Sequence, residues 1–333
     1  MANKNFQAAR MIFDDPPNLS SFDDTYAPDS NRLWLEAALD ADPRIPLGSI
    51  IVHQQHIVAG SDHSSGLLFV WSFDTIKCTK LIKTLKGHQA HIVALQDLNT
   101  CFASCSKDGN LRIWKDFECI LIIQKCHGID KYPTSLACYH PSGQNVPYLY
   151  SGGTDGLIIS YDITMGRASN VVGGHSGWIM CLECKKDAPF LFSGSTDFTV
   201  RLWDAVNLQF LYSFEGHSES IYSIRIFENY LVSGDRAGEI RLYDIFTSEC
   251  INVFRDYYMI NSLQVFKRDG RIQLLSMGHS NYICEWDTFS QEYNCINKFH
   301  FGTIRSSMIY KNWIFTAARD GAIGIWRLEK GIL

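Results

Sequence analysis

The sequence lacks an apolar run of the length that a membrane-spanning helix needs, which is about 18 residues or more. Its opening stretch, MANKNFQAARMIFDDPPNLSSFDD, also lacks the apolar core of a secretory signal. A transit peptide is poor in acidic residues, whereas this stretch carries Asp14, Asp15, Asp23 and Asp24. We therefore predict neither a membrane contact nor export.

Positive charge is also scarce. The chain has 30 Lys and Arg against 35 Asp and Glu, a net charge of −5 and a pI of about 6.1. No general basic field exists to attract nucleic acid, so nucleic acid is disfavoured as a partner. The 11 cysteines are an odd number in a chain without an export signal, which indicates reduced thiols in a cytoplasmic or nuclear compartment.

No cysteine or histidine pair has the pattern of a metal site. Cys181 and Cys184 lie three apart in a predicted strand, so they point to opposite faces. His53 and His56 lie in a predicted turn without further ligands nearby. We expect no metal, no cofactor and no small-molecule substrate.

What the sequence does contain is a repeat. Short segments that end in Trp or Tyr recur at spacings of 40 to 47 residues. The seven copies are AGSDHSSGLLFVWS (59–72), SCSKDGNLRIWK (104–115), SGGTDGLIISYD (151–162), SGSTDFTVRLWD (193–204), SGDRAGEIRLYD (233–244), SMGHSNYICEWD (276–287) and TAARDGAIGIWR (316–327).

Each copy predicts strands. TVRLW and EIRLY alternate apolar and polar residues, as half-buried strands do. Apolar runs precede the turn of each copy and follow its aromatic residue, and they indicate four short strands per repeat with no helix between them.

Four-stranded repeats of this length that end in Trp-Asp resemble the WD40 family of β-propellers. Three Gly-His pairs, at residues 87–88, 174–175 and 216–217, add to the resemblance, which covers residues 47–333. It implies an all-β fold: a seven-bladed β-propeller of four-stranded antiparallel blades.

The last repeat lacks room for its fourth strand, because only seven residues follow Trp326. In the WD40 family an N-terminal segment commonly supplies that strand, and closure removes exposed edges. We therefore divide the chain into a partly irregular N-terminal extension, 1–46, and a propeller, 47–333. The closing strand is predicted at 32–39, with 7–14 as the second choice and a short helix at 32–39 as the alternative. The Asp-, Pro- and Ser-rich stretch 14–30 is either an irregular tail or a docking segment.

His175, Ser193 and Asp197 also suggest a hydrolytic triad. The resemblance implies something else, a structural tetrad of His, Ser or Thr, Asp and Trp that recurs in several blades. Three complete copies are expected, formed by His88, Ser104, Asp108 and Trp114, by His175, Ser193, Asp197 and Trp203, and by His300, Thr316, Asp320 and Trp326.

The other four copies are predicted to be broken. Tyr161 replaces the third tryptophan, Ala237 and Tyr243 replace members of the fifth copy, and the first and sixth copies have no histidine. A catalytic site is needed once, whereas a structural fastener is useful in every blade. We therefore predict no catalytic residues and no enzymatic activity.

Binding is expected on the loops, because strands supply the scaffold. In the WD40 family, recognition often uses the residue before the tetrad aspartate and the residue three after the histidine. The predicted partner-binding residues occupy these positions, and two of them lie in an equivalent connection between blades. They are Lys107, Arg236, Arg319, His279, Trp178, His91, Tyr257 and Tyr258. Cations would pair with acidic or phosphorylated peptide segments, and aromatics would anchor them. The alternative is that these are ordinary solvated loop residues.

The predicted function is a non-catalytic protein–protein interaction scaffold, a subunit or adaptor of a multiprotein complex. One alternative is a reader of acidic or phosphorylated peptides, such as the substrate-recognition module of a ubiquitin ligase. Another is an RNA- or chromatin-associated propeller, which the low pI disfavours.

Overall fold

The computed structural model describes residues 34–40, 45–73, 79–142, 146–288, 293–296 and 299–328. These residues form 28 strands in seven four-stranded antiparallel sheets and contain no helix. No membrane-spanning helix is therefore found in the described part of the chain. The predicted tail at 14–30 and the second-choice strand at 7–14 lie outside it.

The first blades follow chain order. Blade 1 consists of β2 (Leu47–His53), β3 (His56–Ser61), β4 (Leu68–Ser72) and β5 (Lys80–Leu85). Blade 2 consists of β6 (Ile92–Asp97), β7 (Phe102–Ser106), β8 (Leu111–Lys115) and β9 (Glu118–Ile123). Blade 3 consists of β10 (Pro133–Tyr139), β11 (Tyr148–Gly153), β12 (Leu157–Asp162) and β13 (Arg167–Gly173).

The next three blades repeat this order. Blade 4 consists of β14 (Ile179–Cys184), β15 (Phe190–Ser195), β16 (Val200–Asp204) and β17 (Phe210–Phe214). Blade 5 consists of β18 (Ile221–Phe227), β19 (Tyr230–Asp235), β20 (Glu239–Asp244) and β21 (Cys250–Arg255). Blade 6 consists of β22 (Ile260–Arg268), β23 (Arg271–Gly278), β24 (Ile283–Asp287) and β25 (Tyr293–Ile296).

Blade 7 joins strands from opposite ends of the sequence. It consists of β26 (Ile304–Tyr310), β27 (Trp313–Ala318), β28 (Ala322–Arg327) and β1 (Trp34–Asp40). β1 pairs antiparallel with β28, from Trp34 opposite Arg327 to Asp40 opposite Ala322. The segment at 32–39 therefore contributes a strand and not the alternative helix.

The blades form a closed ring. The first strand of each blade contacts the first strand of the next, and β26 of blade 7 contacts β2 of blade 1. The predicted seven-bladed propeller, closed by an N-terminal strand, is confirmed. Within the ring, β2, β6, β10, β14, β18, β22 and β26 are the inner strands.

The apolar core lies between the blades. Seven buried clusters are found in the described residues, one at each interface of neighbouring blades. Glycine of the Ser-Gly motif permits this packing, because a Cβ on Gly152 or Gly194 would come within 2.4 Å of Ile179 or 2.8 Å of Ile221 on the next blade. The sequence repeat is therefore also a packing repeat, and burial of these side chains drives the ring to close.

Every inner strand carries a β-bulge at its second residue, where the pairing register shifts. A bulge bends the strand and re-aims its side chain. The seven bulged residues are Gly48, Val93, Thr134, Met180, Tyr222, Asn261 and Arg305.

Candidate functional site

We call one end of the ring the top face. It holds two kinds of loop in each blade: the turn between the second and third strands, and the connection that enters the inner strand from the preceding blade. The structure joins these two loops in a repeated way, through a buried side-chain network and a backbone hydrogen bond.

The side-chain network is complete in blade 4. Nδ1 of His175 lies 2.8 Å from Oδ2 of Asp197, and Nε2 lies 2.7 Å from Oγ of Ser193. Nε1 of Trp203 donates to the same Oγ at 2.8 Å. A neutral imidazole with its proton on Nδ1 satisfies every partner: it donates to the carboxylate and accepts from the serine hydroxyl.

Blades 2 and 7 contain the same network. Their corresponding contacts measure 2.8 to 3.0 Å and involve His88, Ser104, Asp108, Trp114, His300, Thr316, Asp320 and Trp326. The hydroxyl-bearing residues Ser104, Ser193 and Thr316 have no exposed surface. A nucleophile must reach its substrate, so this geometry fits a structural fastener and not a hydrolytic triad.

Blade 3 keeps the network with a tyrosine. Nε2 of His127 lies 2.7 Å from Oγ of Ser151, whose other neighbour is the hydroxyl of Tyr161 at 2.7 Å. Nδ1 of His127 lies 2.9 Å from Asp155. The prediction of a broken third copy was wrong, because a phenol hydroxyl reaches the serine as an indole N–H does.

Blade 5 keeps the contact between histidine and aspartate. Its aspartate is Asp235, which the alignment of the repeats does not place in the tetrad. Oδ2 of Asp235 lies 3.0 Å from Nδ1 of His217, and Oδ1 accepts backbone N–H groups of Ala237 and Glu239. In blade 4 these roles are divided between Ser195, which caps the turn, and Asp197. Asp235 therefore both caps the turn and binds His217. The alanine at position 237 leaves neither the turn nor the histidine without its carboxylate partner.

Blade 6 has a carboxylate where blades 2, 3, 4, 5 and 7 have histidine. Oδ2 of Asp256 accepts the hydroxyl of Ser276 at 2.7 Å, and Trp286 donates its indole N–H to that hydroxyl at 2.9 Å. Burial raises the pKa of Asp256. In blade 1, Ala59 stands where the serine would be, since it pairs with Ile50 as Ser104 pairs with Leu95.

The pKa values of Asp108, Asp197 and Asp320, which each face a histidine, are shifted in the opposite direction. Burial by itself would raise the pKa of Asp108, but the hydrogen bonds from His88 and from backbone N–H groups outweigh it and lower the pKa to about 2. The same balance of burial against hydrogen bonds lowers the pKa of Asp197 and Asp320. These aspartates are therefore ionised at neutral pH.

The Gly-His glycine leaves space for an arginine. A Cβ on Gly87 or Gly216 would lie 2.7 or 2.3 Å from a guanidinium nitrogen, of Arg112 and Arg241 respectively. In blade 7 both residues change: Phe299 replaces the glycine, and Gly324 stands where the arginine would be. Phe299 packs its ring 6.1 Å from that of Trp326.

Among the residues that the structure describes, one group of side chains has the spacing of metal ligands. The ligand atoms of His217, Asp235 and Glu239 lie within 4.8 Å of one another. Glu239 binds Arg241 at 2.6 Å and Arg255 at 3.3 Å, and both ring nitrogens of His217 have protein partners. We assign no metal to this group, because protein contacts already use its ligand atoms.

Backbone hydrogen bonds connect the two predicted sets of top-face positions. In every blade, the residue before the tetrad-aspartate position donates its N–H to the carbonyl of the residue before the inner strand. The donor–acceptor pairs are Asp62–Pro46, Lys107–His91, Thr154–Tyr132, Thr196–Trp178, Arg236–Ser220, His279–Met259 and Arg319–Thr303. The two sets therefore form one ring of seven pairs.

The predicted partner-binding residues lie on this face, although not in one patch. Lys107, Arg236, His279 and Arg319 are exposed in blades 2, 5, 6 and 7, and His91 is half-buried. Trp178 is 49% exposed, Tyr257 51% and Tyr258 40%. Lys107 places Nζ 6.0 Å from the ring centre of Tyr132.

Asp62 is the top-face residue that the sequence reasoning missed. Its Oδ1 lies 3.1 Å from Nδ1 of His91, and its Oδ2 lies 3.2 Å from Nε of Arg319 and 3.6 Å from Nε of Arg305. Burial raises the pKa of Asp62, but these three partners outweigh it and lower the pKa. The signal was available, because Asp62 occupies the place in blade 1 that Lys107 and Arg319 occupy in theirs.

The structure also adds apolar candidates. Phe301, one residue after the tetrad histidine of blade 7, is 88% exposed. Ile129 follows His127 in the same connection of blade 3 and is 74% exposed. Aromatic side chains such as Phe301 are enriched at protein interfaces, so these two residues join the candidate contacts.

Comparisons with known proteins agree with this architecture. Three segments, residues 79–115, 166–204 and 208–244, match the family described as WD domain, G-beta repeat. The three matched segments are therefore WD40 repeats, and they lie within a seven-bladed β-propeller.

Similar proteins include named subunits of larger assemblies. A guanine nucleotide-binding protein subunit beta from Solanum tuberosum is 31% identical over 182 residues, 49% of this chain and 48% of that protein. The subunit beta-1 from Nicotiana tabacum shows the same values. A probable coatomer subunit beta' from Schizosaccharomyces pombe is 27% identical over 139 residues, 40% of this chain and 17% of that protein. The chain therefore matches about half or less of the length of these relatives.

Proposed function

We propose that the protein is a non-catalytic interaction scaffold, a subunit or adaptor of a multiprotein complex, and that partners bind its top-face loops. One observation carries the proposal: this face holds large apolar side chains in solvent beside exposed cations. Phe301 and Trp178 are the apolar examples, and Lys107, Arg236 and Arg319 are the cations. Aromatic and arginine side chains dominate the energetics of protein interfaces.

The relatives support the scaffold role, since each is named as a subunit. The buried tetrads support the absence of catalysis, because their hydroxyl groups are inaccessible and their geometry recurs in three blades. A face that binds other proteins needs a rigid support, which these fasteners supply.

The cations favour a second candidate function, a reader of acidic or phosphorylated peptide segments. Four basic or histidine side chains at one repeat position are unusual in a chain whose net charge is −5. Arginine pairs with carboxylate or phosphate through a planar fork of donors.

Capture of partners from the protein's own cells tests the scaffold proposal. The top-face variant carries Phe301→Ala and Tyr257→Ala. The matched control carries Phe246→Ala, in the turn between β20 and β21, and Tyr212→Ala, on the outer strand β17; these residues are 67% and 43% exposed.

We expect the wild type and the control to retain the same set of partners and the top-face variant to lose it. Quantitative mass spectrometry of the captured proteins measures this difference, and matched melting temperatures show that both variants fold. Equal retention by both variants would refute binding through the top face.

A further inference from the structure

Three blades meet at Asp62. This carboxylate belongs to blade 1, His91 to blade 2, and Arg305 and Arg319 to blade 7. We call these four residues the Asp62 cluster. The arrangement depends on two features of the fold: Asp62 and Arg319 share one repeat position in neighbouring blades, and Arg305 is the bulged residue of its inner strand.

The cluster has more donors than its carboxylate can satisfy. Both arginines approach Oδ2 through Nε, and the described residues show no hydrogen bond from their Nη groups. Within the described residues, Asp62 is the one acceptor found for either guanidinium. Arg319 is 54% exposed at its side chain and Arg305 is 32% exposed, whereas Asp62 is only 10% exposed. The open side of the cluster therefore presents cationic N–H donors, not the carboxylate.

The surroundings fit an anionic residue of a peptide. His279 of blade 6 lies near both arginines, and burial together with their charges lowers its pKa, so it adds a neutral ring. Phe301 lies four residues before Arg305 in the chain and exposes 88% of its surface. A peptide that placed an anion on the arginines would therefore find an apolar contact nearby.

We propose that the Asp62 cluster binds a phosphorylated residue of a protein partner, and that Asp62 weakens the binding of an ordinary carboxylate because it offsets one of the two arginine charges. This inference rests on the proposed function, since it names the chemistry of a top-face partner. Asp62 is tethered beside both arginines, so its effective concentration is high and no association entropy opposes it.

A partner's Asp or Glu has one negative charge and two oxygens, so it gains little from two arginines whose charge Asp62 already offsets in part. A phosphoryl group carries a charge of about −1.5 to −2 and three acceptor oxygens. It can therefore bind the remaining donors of both arginines without requiring Asp62 to leave. Discrimination between the two anions then follows from the larger charge and the third oxygen of the phosphoryl group.

The test uses short peptide libraries with randomised flanks and a fixed central phosphoserine, glutamate or serine. Apparent Kd values are measured for the full-length wild type and for Asp62→Asn, Arg319→Gln and Arg271→Gln. Arg271 begins β23, far along that strand from the top-face turn, and is 66% exposed at its side chain, so it controls for the loss of one cation.

We expect the wild type and Arg271→Gln to bind the phosphoserine library about tenfold more tightly than the glutamate library. Asp62→Asn should tighten glutamate binding about tenfold and phosphoserine binding at least as much, because it removes a unit negative charge beside two screened cations. Arg319→Gln should weaken phosphoserine binding without strengthening glutamate binding.

Unchanged binding of both anionic libraries by Asp62→Asn would overturn the inference. So would weaker binding of both libraries by that variant, since Asp62 would then position the arginines and not offset their charge. Equal binding of phosphoserine and serine by the wild type would also overturn it. These results are independent of the partner-capture experiment, so the scaffold role and the role of Asp62 can fail separately.

Discussion

Asp197 of blade 4 tests the assignment of the tetrads as structural fasteners. Its carboxylate accepts four hydrogen bonds: from Nδ1 of His175 at 2.8 Å, from the N–H of Ser176 at 3.1 Å, and from the N–H and hydroxyl of Thr199 at 3.1 and 2.7 Å. Asp197→Ala removes all four. The N–H of Ser176 is exposed and can turn to water, but the His175 side chain has no exposed surface.

An unsatisfied buried donor costs about 1 to 3 kcal/mol, and the lost turn bonds add about 1 kcal/mol. We therefore expect Asp197→Ala to lower the free energy of unfolding by about 2 to 4 kcal/mol. For a chain of this size, that change lowers the melting temperature by about 3 to 6 °C. Urea unfolding followed by tryptophan fluorescence, with calorimetry for the melting temperature, measures both.

Asp204→Ala is the matched control in the same blade. Asp204 caps a turn through the N–H groups of Val206 and Asn207, at 2.8 and 3.0 Å, and its hydrogen bonds are exposed. Its loss should cost about 1 kcal/mol or less. If both variants lost the same stability, the argument that His175 depends on Asp197 would be refuted.

Two further predictions concern other tetrads. Because the pKa of Asp108 is about 2 in the folded protein and its ordinary value is 3.8, its ionised form contributes about 2 kcal/mol above pH 4, and this contribution is lost as the pH falls toward 2. The stability difference between wild type and Asp108→Asn in urea titrations should shrink over that interval, while Glu118→Gln, an exposed carboxylate on β9, should show no such trend. Tyr161→Phe should cost about 1 to 2 kcal/mol, because it removes the hydroxyl that pairs with buried Ser151. Tyr243→Phe, whose hydroxyl donates only to the partly buried carbonyl of Glu215 at 3.1 Å, should cost less, and the reverse order in urea unfolding would contradict the assigned role of Tyr161.

The ring of blades was predictable because each blade repeats both its strands and its packing. The aromatic residue of the third strand is large and buried in each copy, as for Trp71 and Trp326, so it marks the period clearly. The strand over Trp34–Asp40 could also be predicted from the sequence, because the seventh repeat is one strand short. The repeated strand pattern and the need to close the ring both predict the same fold.

The side-chain networks were harder to predict, because a carboxylate can reach one target from different backbone positions. Asp235 sits two residues before the expected place, and Asp256 replaces a histidine outright. Aligning repeats residue by residue compares positions, whereas a hydrogen bond requires only that donor and acceptor atoms meet. Asp62 was missed for another reason: its ion pairs join repeats that are distant in sequence, up to 257 residues apart for Arg319.

The paired change at Phe299 and Gly324 bears on how such blades are recognised. The three segments that match the repeat family contain the Gly-His pair and the arginine two residues before the aromatic. Blade 7 has exchanged both, and its segment is not among the three, yet its four tetrad residues meet at 2.8 to 3.0 Å. A profile that scores positions independently counts this exchange as two defects. In three dimensions the exchange keeps the side-chain volume at this place. The ring of Phe299 in the loop replaces the volume of the arginine side chain that Gly324 lacks. Degenerate repeats are therefore better recognised from pairs of positions. A blade can keep its internal architecture after its sequence has lost the motif of the repeat.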